Sequence, residues 1–205
     1  IRPRRVPFNA IAAQAAEASR PLMDARSHRF SLALPTEEIW VNADAMRITQ
    51  VIQNLLGNAA KFTPDRGAVA LAASLEGNRL KVEVRDNGEG FEPQAAERLF
   101  ELFTQGDGSR PIREGGLGIG LSLARSLVEM HGGSLTARSE GPGKGSVFSF
   151  ELPGADAVQR PDGGAPALML VVDDNRDAAD SLSELLRLLG YRVSAAYDGQ
   201  TALAM

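Results

Sequence analysis

Gln50–Thr63 reads QVIQNLLGNAAKFT, and two helical patterns run through it at once. Begun from Asp44, the stretch places Met46, Ile48, Val51, Ile52, Leu55, Leu56 and Ala59 on one wide apolar face, with Pro64 and Gly67 closing the helix. Beside that face Gln50, Asn54, Asn58 and Lys61 fall at i, i+4, i+8 and i+11, a continuous polar stripe. A solvated face is one reading of the stripe. Its composition leans elsewhere, since exposed helix faces favour Glu and Lys over three amides. Neutral amide oxygens suit a Mg2+ whose other ligands are anionic phosphate oxygens and water, because they add ligands without adding repulsion. Lys61, one turn further on, reaches a phosphate as a point charge.

Upstream of this helix, Asn9–Arg26 is expected to be helical, capped by Asn9 and with Ile11, Ala15, Ala18 and Leu22 on one stripe. Phe30–Leu34 alternates like a strand that Pro35 stops. Downstream, Ala68–Leu75 and Leu80–Arg85 read as strands joined by a Glu76-Gly77-Asn78 turn. Glu92–Phe103 is expected as a short helix with Pro93 in its first turn, and Thr104–Gly116 as a mobile loop. Leu117–Met130 reads as a helix closed by His131-Gly132-Gly133, followed by strands at Ser134–Ser139 and Ser146–Leu152. Helices alternating with mostly hairpin-connected strands imply an α+β fold, a two-layer sandwich with helices on one face of a mixed sheet.

Residues 1–153 are thus expected to form one domain, 154–166 a Pro-, Gly- and Ala-rich linker, and 167–205 a second domain. There Ala167–Val172 is a continuous apolar run, the mark of a strand buried on both faces. Asp173-Asp174, a helix to Leu189 and a strand at Tyr191–Tyr197 follow, the opening of a doubly wound α/β domain. By the usual domain size of ~100–150 residues only its first third is present. The chain begins without Met and stops at Met205 inside a periodic pattern, and is expected to be an excerpt.

Of 205 residues, 22 are Lys or Arg and 26 Asp or Glu, a net charge of −4 that argues against a broad nucleic-acid-binding face. With 0 Cys the chain has no disulfides, thiolate metal sites or Cys nucleophiles, which is compatible with a reducing cytoplasm. The longest apolar runs, Ala68–Ala73 and Ala167–Val172, are too short to span a bilayer, and no signal-peptide core follows Arg5.

Three glycine-rich motifs remain. Asp86-Asn87-Gly88-Glu89-Gly90 ends a strand; it is either a β-turn or a site where an ionised Asp accepts a hydrogen bond from an amino group. Gly115-Gly116-Leu117-Gly118-Ile119-Gly120 runs directly into a helix, where exposed backbone N–H groups and the helix N-terminus favour polyphosphate. Its GxGxG spacing is not the dinucleotide fingerprint, and no GK[ST] follows. In Gly143-Lys144-Gly145-Ser146 a Gly occupies the position a P-loop needs for Ser or Thr, so a hairpin turn is expected.

The order "QVIQNLLGNAAKFT", "DNGEG", "LFELF", "GGLGIGL", "GPGKGSVFSFELP" resembles the N, G1, F, G2 and G3 boxes of the catalytic and ATP-binding domain of sensor histidine kinases, over about Val6 to Pro153. That resemblance implies the Bergerat ATP-binding fold (the GHKL class), with ATP and Mg2+ as ligands. It makes Asn54 and Asn58 the Mg2+-side residues, with Gln50 behind them, and sets Lys61 and Phe62 against phosphate and base. Asp86 then accepts the adenine amino group while Gly88 and Gly90 shape the base pocket. Phe100 and Phe103 anchor the lid, and Gly116, Gly118 and Gly120, with Leu117, Ile119 and Leu121, wrap the phosphates. Leu102 stands where the F box usually has Pro, and Gln105 where many members carry Arg. Leu168–Leu203 resembles the start of a response-regulator receiver domain, which makes Asp173 and Asp174 part of an incomplete Mg2+ site and the whole a hybrid kinase. In that family the acceptor Asp lies further along than this sequence reaches.

Gyrase, Hsp90 and MutL-type ATPases share the fold but carry, four residues before the second Asn, a Glu that activates water. Here that position is Asn54, which takes no proton at neutral pH. Phosphoryl transfer to a nucleophile is therefore expected over hydrolysis. By resemblance the nucleophile is a His on an upstream dimerisation helix, giving a homodimer in the full protein and a receiver or response regulator as phosphate acceptor. Neither His28 nor His131 fits that acceptor pattern; His131 reads as a helix-end residue complementing the dipole. A non-catalytic nucleotide-sensing or docking module is the alternative.

Overall fold

The computed structural model describes residues 1–101, 119–158, 168–176, 179–180, 182–184 and 192–204. They belong to two compact units, Ile1–Gln159 and Arg160–Met205.

The first unit opens with β1 (Arg4–Pro7) and α1 (Phe8–Asp24), then β2 (Arg29–Ala33), β3 (Glu38–Ala43) and α2 (Ala45–Phe62). It continues through β4 (Ala68–Glu76), β5 (Arg79–Asp86), two 3₁₀ turns (Pro93–Ala95 and Glu97–Phe100), α3 (Gly120–Met130), β6 (Ser134–Arg138), β7 (Ser146–Pro153) and β8 (Asp156–Val158). Five strands form one mixed sheet in the order β2-β4-β5-β7-β6, in which only β2 and β4 run parallel. Period-2 alternation decides its faces. Val69 and Leu71, Leu80, Val82 and Val84, Leu135 and Ala137, and Phe148, Phe150 and Leu152 all turn into the core, against Ile48, Val51, Ile52, Leu55 and Leu56 of α2 and Ala124, Leu127 and Val128 of α3. Helices on one face of a mixed sheet is the expected sandwich.

Several local expectations change. Asn9 does not cap α1, which starts at Phe8 behind Pro7. Its amide instead donates to Pro35 O and Glu37 O, both at 3.0 Å, pinning the β2–β3 connection. On α1 Ile11 and Ala15 are buried, but Ala18 and Leu22 face outward, and Ser19 and Met23 take the inner positions. Ser19 can do so because its hydroxyl donates to Ala15 O at 2.9 Å. Asp44 caps α2 by accepting from Arg47 N, while Met46 is 74% exposed and leaves the apolar face. The expected Glu92–Phe103 helix is two short 3₁₀ turns as far as Phe100. Phe91 and Phe100 both pack on the Phe148 ring, which ties down each end of this segment of short turns.

β1, β3 and β8 form a second, antiparallel sheet in the order β1-β3-β8. β8 falls inside the stretch expected to be linker. Its three residues have a partner in β3, whose Ile39, Val41 and Ala43 are buried while Asn42 is exposed. In the second unit β9 (Leu168–Val172) and β10 (Arg192–Ala196) pair in parallel, and α4 spans Gly199–Ala204. The expected loop at Thr104–Gly116 lies outside the described residues, as do Leu102, Phe103, Gln105, Gly116, Leu117 and Gly118. No helix among the described residues is long and apolar enough to cross a membrane.

Candidate functional site

Asp86 ends β5 on the same face as Leu80, Val82 and Val84, so the strand's own alternation carries a carboxylate into the core edge, 7% exposed. Such a group is tolerated only if hydrogen-bonded. Its Oδ1 accepts from Gly88 N at 2.7 Å and its Oδ2 from the Ser146 hydroxyl. Each oxygen keeps a second lone pair for a further donor. The turn behind it is braced on all sides. Asn87 Oδ1 accepts from Ala68 N at 2.7 Å, Glu89 N donates to Phe62 O at 3.0 Å, and Gly145 N donates to Gly88 O at 3.1 Å. Gly88 abuts the Phe62 carbonyl and Gly145, at φ +72, abuts that of Asp86; a Cβ at either would collide with backbone. The GKGS segment is the expected hairpin connection, now seen to hold the Asp86 turn.

From this turn α2 runs back past the start of α3, which it meets near its own midpoint. At its C-terminal end Lys61 Nζ lies 5.1 Å from the centroid of the Phe62 ring, and Phe62 is 46% exposed. Two turns earlier Asn54 Nδ2 donates to Gly120 O at 3.2 Å, joining α2 to the first residue of α3. Asn58, between them and half-buried, has no side-chain hydrogen bond to any described residue. Gln50 Oε1 instead accepts from Arg47 at 3.1 Å and is turned along its own helix. Ile119 and Leu121 are half-buried beside exposed Gly120. Gly90 sits at φ +60 against Gly141 and Ser139. Phe100 is buried edge-on to Phe148 under the Arg125 guanidinium, 5.1 Å from its centroid. Arg125 is itself held by Glu97 and Glu129, which raise its pKa above the ordinary value.

Sequence reading missed Ser146, Asn87 and Ser139. Ser139 Oγ accepts from Phe91 N at 3.1 Å and donates toward Gly145 O at 2.7 Å, so it supports the same turn. The signal available was Ser146 beginning a strand whose alternate residues are core, the mirror of Asp86. His28 is buried with Nε2 between Thr63 O and Pro64 O, at 3.2 and 3.1 Å, which makes it a brace behind the C-terminal end of α2. In the second unit Asp173 and Asp174 are exposed at the end of β9, and Asp173 Oδ1 accepts from Asn175 N at 2.9 Å. Among the described residues no three His, Cys, Asp or Glu side chains gather around one point.

Residues 43–156 match the family described as histidine kinase-, DNA gyrase B- and HSP90-like ATPase. The circadian input-output histidine kinase CikA of Synechococcus elongatus is 36% identical over 167 residues, 78% of this chain and 22% of that protein. The sensor histidine kinase AruS of Pseudomonas aeruginosa is 40% identical over 171 residues, 77% of this chain and 17% of that protein. The chain therefore spans less than a quarter of either relative. Among solved structures, full-length ShkA in complex with AMPPNP superposes with a TM-score of 0.65 at 29% identity, over 99% of this chain and 42% of that one. The chain belongs to this ATPase family, and its first unit is a domain of the sensor-histidine-kinase type.

Proposed function

We propose that the first unit binds ATP with Mg2+ and transfers the γ-phosphoryl group to a His on a dimerisation helix outside this sequence. The P–N bond to the ring nitrogen forms as the bridging P–O bond to the β-phosphate breaks, and ADP leaves. From that His the phosphoryl group passes to an Asp of a receiver domain or response regulator, the second unit being the start of such a receiver in a hybrid kinase.

One observation carries the reading: the Asn54–Gly120 hydrogen bond joins the amide stripe of α2 to the N-terminus of α3, while the C-terminal end of α2 rests on the Asp86 turn. A base and a polyphosphate thus have separate ends of one surface. Asp86 offers lone pairs to an exocyclic amino group, and Phe62, whose carbonyl holds the same turn, offers an exposed ring at the end of α2. Gly120 opens an eleven-residue helix whose first N–H groups favour phosphate. The residues present fit Mg2+: Asn58 presents an amide unclaimed by described residues, and Asn54, through Oδ1, a second. A Mg2+ held there with the nucleotide phosphates would neutralise charge developing on the transferred group. Asn54 donates to a carbonyl and cannot act as a base toward water, which favours transfer over hydrolysis.

The test is to mix the purified chain with a separate helical hairpin bearing an acceptor His and with γ-labelled ATP. Acid-labile label on the hairpin is expected. Steady phosphate release without the hairpin would replace this reading with an ATPase. Bound nucleotide with neither reaction would make the unit a sensing or docking module.

A further inference from the structure

The α2–α3 pair is hydrogen-bonded at both ends. At the site end the link is Asn54 Nδ2 to Gly120 O. At the far end His131, the residue capping α3, meets Asp44, the residue capping α2. His131 Nδ1 lies 2.7 Å from Leu127 O, and Asp44 N donates to His131 Nε2 at 3.0 Å. A carbonyl only accepts, so Nδ1 must carry the proton; Nε2 is then the lone-pair nitrogen that an N–H donor requires. Both ring nitrogens are satisfied by one tautomer of the neutral imidazole. A cationic ring, which would complement the helix dipole by charge, would set a second N–H against the Asp44 N–H. The ring does satisfy a C-terminal carbonyl of α3, but by donating as a neutral group.

This contact fixes more than a helix end. The pairing of Asn54 with Gly120 and of Asp44 with His131 makes the helices antiparallel, with the two links about 16 Å apart at 1.5 Å per residue. Between them the packing is apolar: Ile48, Val51 and Leu55 against Ala124, Leu127 and Val128. Apolar contacts are non-directional and hold the axial position of one helix on another weakly, whereas a hydrogen bond at a helix end holds it strictly. We infer that His131 is a positioning residue: as a neutral acceptor for Asp44 N–H it sets the axial register of α3 on α2, and so places the phosphate-facing start of α3 opposite Asn54 and Asn58. The inference rests on the nucleotide site proposed above. It makes His131 matter to a ligand that bridges both helices and not to one that occupies the Asp86 pocket alone.

Three variants separate register from bulk. His131→Gln retains an acceptor at the reach of Nε2, His131→Lys offers only donors, and His131→Leu fills space with neither. AMPPNP·Mg2+ and adenosine are titrated against each by calorimetry, and the ratio of the two affinities is read. The expected result is a ratio lowered about fivefold by Lys and Leu, the weight of one ordinary hydrogen bond, and within about twofold of wild type for Gln. An unchanged ratio, or equal loss for both ligands in every variant, overturns the inference. The wild-type imidazole 15N spectrum gives a reading that needs no folded variant and no ligand. A protonated Nδ1 and bare Nε2, with Asp44 N–H protected from exchange, is required, and the opposite tautomer overturns it. Should wild type bind neither ligand, the site proposal fails, while the 15N spectrum still decides whether the His131–Asp44 anchor exists.

Discussion

Asp86→Asn tests the base pocket with little disturbance of the fold. The Asn oxygen can keep the Gly88 N–H at its 2.7 Å position, and its NH2 group can donate to Ser146, whose hydroxyl is free to rotate. Internally one hydrogen bond changes direction, a cost of about 0.5–1.5 kcal/mol, so the melting temperature should fall by only a few degrees. Toward a nucleotide the change is larger. A charged acceptor facing an amino group becomes a donor facing a donor, and a hydrogen bond to a charged group is worth about 1.5–3 kcal/mol. ATP affinity should therefore drop roughly 10–150-fold. GTP, which presents a carbonyl in place of that amino group, should bind poorly to the wild type and lose little in the variant. Fluorescence competition with both nucleotides on both proteins, alongside thermal melts, supplies the four affinities. Equal ATP and GTP affinity in the wild type, or an Asp86→Asn protein within about twofold for ATP, would refute the assignment of Asp86 to the base.

Asn58→Asp should leave metal-free ADP binding little changed but reduce transfer from ATP·Mg2+ to a His-bearing hairpin by roughly 100-fold, the scale of one lost preorganised electrostatic contact; equal losses in the two assays would count against a phosphate-side role. Gly145→Ala should destabilise by about 2–5 kcal/mol in urea melts, since its φ of +72 is joined by a collision of the new Cβ with the Asp86 carbonyl. Gly143→Ala, at φ +75 but with nothing in reach, should cost only about 1–2 kcal/mol, and similar values for the two would show that contact is irrelevant. Asp44 has its carboxyl held below the usual range, chiefly by the Arg2 N–H at 2.8 Å and then by Arg47. A depressed folded-state pKa means its stabilisation is present above the unfolded value of ~3.9 and fades as pH falls through the lower folded value. The stability difference between wild type and Asp44→Asn, followed by urea melts from pH 5 down to 2, should shrink with acid; a flat difference would show that the cap carries no charge dependence.

What could be read from residues alone follows from how local each signal is. The apolar and amide stripes of α2 repeat over five turns, and the β4–β5 hairpin has its turn glycine at φ +63, so both are legible without tertiary context. The Asp86–Ser146 bond is not, because it joins residues sixty apart that become neighbours only when β5 pairs with β7. The small sheet escaped for a different reason. β1 is two arginines, a valine and a proline, β8 is three residues long, and each owes its extended form to pairing with β3. The α1 stripe shifted because Ser19, polar by composition, hides its hydroxyl on Ala15 O and takes the inner position.

The three-stranded sheet also has a mechanical meaning. The chain comes into the first unit along β1 and goes on toward the second along β8, and both strands lie against β3, one on each side. Arg5 of β1 reaches over the Trp40 ring of β3 to Asp156 of β8, closing a 2.6 Å ion pair across the central strand. Tension between the two ends is therefore carried across this clasp. It loads the β1–β3 and β3–β8 ladders before it loads α2, α3 or the Asp86 turn, which leaves the surface proposed for the nucleotide outside the load path. Trimming the chain at Pro153 would remove one arm of the clasp and route any such force through β7, the strand that holds Ser146 against Asp86.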